Sequence, residues 1–291
     1  MRITDNMRFG TVQRSLASLR SRHATLTNQL TSGRKVLAPS DDPTGAAKLT
    51  RLSARAARTA DYQNTISSVR ADISLSEATL SEASQLMVRA HELAIQGAND
   101  ALSPADRSAL ALEAQSLREQ LVSTANARGQ NGYLFSGTQT ATPPFASDGT
   151  YQGNEIEHEV EISPGVRTRV SITGSRAFTA AGGTDAFAAL DALHSALLSN
   201  DASAIAATLG DIESARSQMV RAQGESGLIM NRLDTADEAL SVTALELRKQ
   251  DSAIADVDPF AAISELTQLS TTIEQAIAVA RQTLTIGQDL F

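Results

Sequence analysis

The sequence predicts a mainly α protein: a long antiparallel helical bundle or coiled coil carrying a small β-rich inserted outer domain. Three observations predict it. Apolar residues recur at alternating steps of three and four over most of the 291 residues, which is the seam of packed helices. The period drops to two in one stretch near the middle, over 156–172, as in strands. Aromatic residues make up 3% of the chain and Trp is absent, while 42% is hydrophobic. Such a composition suits helices packed closely through Ala and Leu better than an aromatic-lined pocket.

The first seam is Val12, Leu16, Leu19, His23, Leu26 and Leu30, with His23 its only polar member. A corner follows in "LTSGRKVLAPSDDPTGAAK" (30–48). Gly33 is placed to end the helix in the left-handed conformation. Pro39 forbids continuation. Asp42 and Pro43 read as N-cap and first residue of the next helix, because the carboxylate accepts an orphan N–H and proline has none to lose. The second seam runs from Leu52, Ala56, Thr59, Tyr62 and Ile66 through Ile73, Leu80 and Met87 to about Gly97. Ser103-Pro104 caps a third helix, with Leu110, Ala114, Leu117, Leu121 and Ala125 on one face.

From 129 the chain turns rich in Gly and Thr. "IEHEVEI" (156–162) and "VRTRVSI" (166–172) alternate apolar and polar residues around Pro164-Gly165, a β-hairpin. Glu157 and Glu159 on one strand face Arg167 and Arg169 on the other, a modest aid to pairing. Gly182-Gly183 closes the insert. Phe187, Leu190, Leu193 and Leu197 mark a short helix, and Ile205, Leu209, Ile212 and Met219 another. "AQGESGLIMN" (222–231) reads as a turn or a loosened stretch. The last long seam is Leu233, Ala236, Leu240, Thr243, Leu247, Gln250, Ile254 and Val257, broken at Pro259. The final one is Ala262, Leu266, Leu269, Ile273, Ala276, Ala280 and Thr283.

The two outer segments match. Each spans 32 residues, before Gly33 and after Pro259, roughly 48 Å as a helix. Residues 1–60 carry a balance of +8, residues 223–291 one of −7. The expectation is that the ends pair as a coiled coil. On this reading 1–44 and 256–291 are paired terminal helices, 45–130 and 185–255 an inner bundle, and 131–184 the insert at the opposite pole. Ala, Thr and Ser fill many seam positions, so this coil is marginal alone and needs neighbours. The expected assembly interface is Leu16, Leu19, Leu26 and Leu30 with Leu266, Leu269, Ile273 and Ala276. Gly33, Pro39, Asp42, Pro43 and Pro259 set the corner.

No chemistry emerges. There is no Cys, so no disulfide or thiol catalysis. "HELAI" (91–95) has Ile95 where a zinc helix needs its second His. "GESG" (224–227) lacks one residue of a nucleophile elbow and follows no strand. "SDD" (40–42) sits where capping explains it. We expect no catalytic residue, cofactor or metal. "MRITDNMRFG" contains no apolar run, so no cleaved signal peptide is expected, and no stretch is long and apolar enough for a membrane span. The basic start raises nucleic acid as a partner, but Phe9 is its only aromatic before 60, and charges flanking a coiled coil explain it better.

Three stretches carry a resemblance. "QLTSGRKVLAPSDDPTGAAK" (29–48) resembles the corner after the first helix of flagellin-like axial proteins, in the "PSDDP" variant of their hook–filament junction branch; bulk flagellins read more like "SGLRINSAKDDAAG". "NGYLFSGTQTATPPF" (131–145) with "YQGN" (151–154) resembles that branch's entry to its outer domain. "ELTQLSTTIEQAIAVARQTL" (265–284) is similar to the amphipathic ends of both branches. The resemblance implies a non-enzymatic subunit at the junction of hook and filament. Its terminal helices would be largely disordered in the free monomer and order on assembly. It would be exported through the flagellar type III channel to the outside of the cell. Implied partners are copies of itself, the neighbouring hook-side junction protein, flagellin, and a cytoplasmic export chaperone at the C-terminal region, with no nucleic acid and no membrane. A bulk flagellin, and a basic coiled-coil protein associated with nucleic acid, are the alternatives.

Overall fold

The computed structural model describes residues 2–288, with side chains at 7 and over 10–282. Seam residue Thr283 and the last residues of the C-terminal segment lie outside the described side chains. The helices are α1 (Arg2–Ser32), α2 (Pro43–Gly97), α3 (Pro104–Ala125), α4 (Gly174–Phe178), α5 (Ala186–Leu198), α6 (Ala202–Ala255) and α7 (Pro259–Gln288). Two small antiparallel sheets lie between α3 and α4: β1 (Arg128–Gly129) with β2 (Gly132–Tyr133), and β3 (Glu159–Ser163) with β4 (Val166–Arg169). The chain forms two compact units, one from its two ends up to Arg58 and from Thr243, the other Thr59–Val242.

In Thr59–Val242 most predicted seam residues are buried, with Tyr62, Leu209 and Ala236 half-buried. Leu110, Ala114, Leu117, Leu121 and Ala125 of α3 all face inward, as do Phe187, Leu190, Leu193 and Leu197 of α5. α3 starts with a reciprocal cap: the Ser103 hydroxyl accepts from the Asp106 N–H, and the Asp106 carboxylate accepts from the Ser103 N–H, satisfying two orphan donors. One core joins Leu80 and Met87 of α2, Leu121 of α3, Leu190 of α5 and Met219 of α6. A second joins Ile66, Val69 and Ile73 of α2 to Ile229 and Leu233 of α6, with Ile162 and Val170 of the hairpin as the third wall.

Three details depart from the sequence reading. α6 runs unbroken through "AQGESGLIMN", which is neither a turn nor a separate boundary. Gly224 and Gly227 each cost about 1 kcal/mol in a helix, but Ser226, Ile229 and Leu233 are buried on the same helix, and packing overrides propensity. The elements expected around 205–219 and 233–257 are therefore one 54-residue helix. Ala56, Thr243 and Gln250 are exposed instead of in the seam.

The segment 131–184 has no separate core. Its Phe145 and Phe178 meet Phe187 of α5, and Phe135 meets Phe178 edge-on, at centroid distances of 5.1–6.3 Å inside the helical core. Tyr151 lies 5.3 Å from Phe145. Its hydroxyl reaches the carbonyls of Phe135 (3.0 Å) and Asn154 (2.8 Å), and burial pushes the phenol up to about 12.

The hairpin register places Glu159 opposite Arg169 and Glu161 opposite Arg167. The ion pair that forms is Arg169 with Glu157, at 2.8 Å. Gly165 takes φ +75° in the turn, where glycine costs nothing. Glu161 Oε1 accepts from the Gly165 N–H (2.9 Å) and the Tyr62 hydroxyl of α2 (3.0 Å), and these two bonds hold its carboxyl below the usual range. A depressed carboxylate stabilises above its unfolded pKa, about 4.3, and the contribution is lost as pH falls through the folded value. The protection factor of the Gly165 amide should therefore fall in acid, as pH drops through the lowered value of the Glu161 carboxyl. Glu161→Gln should lose that acid step, and an unchanged step in the variant would refute the assignment.

Candidate assembly interface

The terminal helices pair within the unit built from the chain ends. α1 has 31 residues and α7 has 30, close to the equal lengths predicted. Leu26 is 8% exposed, Leu269 7% and Ala262 5%. Leu16, Leu19, Leu30, Leu266, Ile273 and Ala276 are only half-buried. All eight predicted interface residues thus escape full exposure, but two helices cover just two of them. Arg22 reaches Glu265 at 2.6 Å with both side chains well exposed, a geometry that contributes little in water. A gap of about 280 Å³ lined by Arg20, His23, Ser270, Ile273 and Glu274 interrupts the pair at its polar seam position.

The hydroxyls of the pair do not bridge it. On α1, Thr11, Thr25, Thr27 and Thr31 donate to carbonyls four residues back. On α7, Thr267, Ser270, Thr271 and Thr272 do the same. Such bonds satisfy the hydroxyl without adding cross-helix energy and slightly weaken the helix. Phe260 (86% exposed), Ile263 and Val279 leave apolar surface of α7 uncovered.

The corner is built as its residues dictate. α1 ends at Ser32, and Gly33 takes φ +71°, where a side chain would be strained. Asp41 Oδ2 accepts from the N–H groups of Leu37 (3.1 Å) and Ala38 (2.8 Å), folding the loop that holds exposed Pro39. Asp42 Oδ1 accepts from the Gly45 N–H at 2.8 Å, and Pro43 opens α2. The C-terminal break repeats the device. Asp258 Oδ1 accepts from Phe260 (2.9 Å) and Ala261 (3.2 Å), and Pro259 opens α7.

The sequence reading missed that the two breaks bond to each other. The Lys35 N–H donates to the Ala255 carbonyl and Val257 N–H to the Gly33 carbonyl, a β-bridge between Arg34 and Asp256. Arg34 also approaches Asp251 at 3.5 Å. Matching Asp-Pro pairs 216 residues apart were the signal available in the sequence.

A further concavity, about 520 Å³, lies in Thr59–Val242 among Ser68, Asp72, Asn131, Tyr133, His158 and Val160. Asp72, its carboxylate, already accepts from the Gln130 N–H (2.9 Å) and the Asn131 amide (2.7 Å), so it caps a turn. Among the described residues no three His, Asp or Glu side chains gather as metal ligands, and no helix is long and apolar enough to cross a membrane.

Comparison with known proteins agrees with this geometry. Residues 3–140 match the bacterial flagellin N-terminal helical region and residues 209–291 the C-terminal helical region, together about three quarters of the chain. Flagellar hook-associated protein 3 of Escherichia coli is 27% identical over 298 aligned positions, covering 94% of each chain. A 30.7 kDa flagellar filament core protein of Treponema maltophilum is 24% identical, covering 90% of this chain and 88% of that one. A solved flagellar hook-associated protein of Vibrio parahaemolyticus is 27% identical with a TM-score of 0.69, covering 74% of this chain and all of that one. The chain belongs to the flagellin family and, along nearly its whole length, is similar to hook-associated protein 3.

Proposed function

We propose that this chain is a structural, non-enzymatic subunit of the bacterial flagellum that forms the junction between hook and filament. The observation that carries this reading is the half-covered seam of α1 and α7. Six of the eight interface residues remain partly open, and Phe260 and Ile263 stand outside it. A pair this incomplete gains most when copies of the chain cover the remaining faces, and it is marginal in the free monomer. The division into polymerising ends (1–44 and 256–291), inner bundle (45–130 and 185–255) and insert (131–184) belongs to the same proposal. So do the hook-side junction protein and flagellin as neighbours, type III export to the cell exterior, and an export chaperone on the C-terminal region.

A bulk flagellin is the second reading, since a filament core protein is also similar. The "PSDDP" corner and the greater similarity to hook-associated protein 3 favour the junction. Immunogold labelling in the source organism decides between them. The expected result is label confined to a short zone where hook meets filament. Label along the filament would overturn the junction reading.

A further inference from the structure

The heptad register of α2 is continuous, but its cover is not. From Gly45 to Ala94 every seventh residue is buried, Leu52, Ile66 and Leu80 among them. The companion row, three residues on, is buried from Val69 to Gly97 and half-buried at Tyr62. Before Tyr62 that row holds Lys48 and Arg55, both exposed, and the positions beside it hold Arg51 and Arg58, also exposed. The other edge of the same turns is covered: Leu49 is half-buried, and Gly45 lies against Ile254 of α6. A seam row that switches from apolar to basic is a device for choosing a partner at some cost in stability.

Two acids of α6 in the same unit have partners of their own. Asp251 pairs with Arg34, and Glu246 accepts from the Gln250 amide at 3.1 Å. Lys48 and Arg58 make no ion pair among the described residues, and the Arg51 Nε–H turns back to the Ala47 carbonyl of its own helix. The charge balance points to the occupant. Residues 1–60 carry eleven Lys and Arg against three Asp, and the other 231 residues carry fourteen against thirty acids. Every copy therefore offers a basic edge and a strongly acidic remainder.

We propose that the edge formed by Lys48, Arg51 and Arg58 docks on the acidic surface of a second copy of this chain. The inference rests on the assembly reading above and adds the charge contact that sets how copies engage. Complementary charge of this kind selects and orients partners and is screened by salt.

The test uses the full chain with Lys48→Glu, Arg51→Glu and Arg58→Glu combined, and a neutral version with Gln at the same positions. Circular dichroism checks that both keep the wild-type helix content. Sedimentation then gives the concentration for self-association across a salt series. The wild type should weaken with salt. The Gln variant should need on the order of tenfold more protein and the Glu variant more still, both with a flattened salt response. A photo-crosslinker at position 51 should capture an acidic segment of another copy. Variants that associate like the wild type, or a crosslink only to a different flagellar protein, would overturn the inference while leaving the assembly reading intact. A wild type that never associates and is absent from the junction would overturn both.

Discussion

Deleting residues 1–32 should leave Thr59–Val242 folded and abolish assembly. Neither core of that unit contains a residue of α1: the first buried member of either is Ile66. Its stability in urea should therefore stay within about 1 kcal/mol of the full chain, as for changes distant from a core. α7 fares differently. Its buried residues Ala262 and Leu269 lose their cover, and its Ser and Thr hydroxyls supply no substitute. A solitary helix of this kind is marginal in water. Helix content should thus fall by more than the deleted residues, because α7 melts as well. Self-association measured by sedimentation should disappear. A truncated chain that assembles at the wild-type concentration would refute the terminal pair as the polymerising element.

Arg107→Ala should destabilise Thr59–Val242 by about 2–4 kcal/mol. Arg107 is 5% exposed and makes no ion pair among the described residues. Its guanidinium donates to the Gly97 carbonyl (2.9 Å), the Asn99 carbonyl (2.9 Å) and the Asn200 side-chain oxygen. These acceptors lie at the C-terminus of α2, in the turn before α3 and in the turn between α5 and α6, where Asn200 takes φ +56°. One cation therefore ties three chain reversals together and sits at the negative end of α2. Removing it takes a donor from all three acceptors, of which the Asn99 carbonyl keeps the Leu102 N–H (3.0 Å). Arg107→Lys keeps the charge but not the planar fork, and should recover only part of the loss. Urea midpoints at unchanged slope would measure both. A loss under about 1 kcal/mol for Ala would mean that water replaces the guanidinium.

Nothing in the local sequence marks Arg107. It occupies the fourth position of a well-capped helix, where a solvated arginine is the ordinary outcome, and Asn200 lies 93 residues away. The aromatic cluster is hidden for the same reason. Phe135, Phe145, Phe178 and Phe187 fall in four separate stretches, so composition alone suggested no aromatic centre. Their packing gives the insert a share in the helical core. The interface is a contrasting case. That its eight proposed residues share the covered side of α1 and α7 was legible because heptad spacing places side chains on one helix face whatever the partner. How far each is covered was not, since coverage depends on how many helices surround it.

By itself the sequence determined what short-range chemistry controls: the ends of α1, α3 and α5, the Asp42-Pro43 cap, the break at Pro259, the left-handed stop at Gly33 and the Pro164-Gly165 hairpin. These follow from backbone sterics and bonds between residues a few positions apart. Only the tertiary structure decided that α6 continues through Gly224 and Gly227, that the two corners bridge each other, and that Lys48 stands exposed on a row that is buried further along α2. Each depends on which distant segments supply contacts. Packing can outweigh about 2 kcal/mol of unfavourable propensity in one place, and in another it leaves part of a seam row exposed.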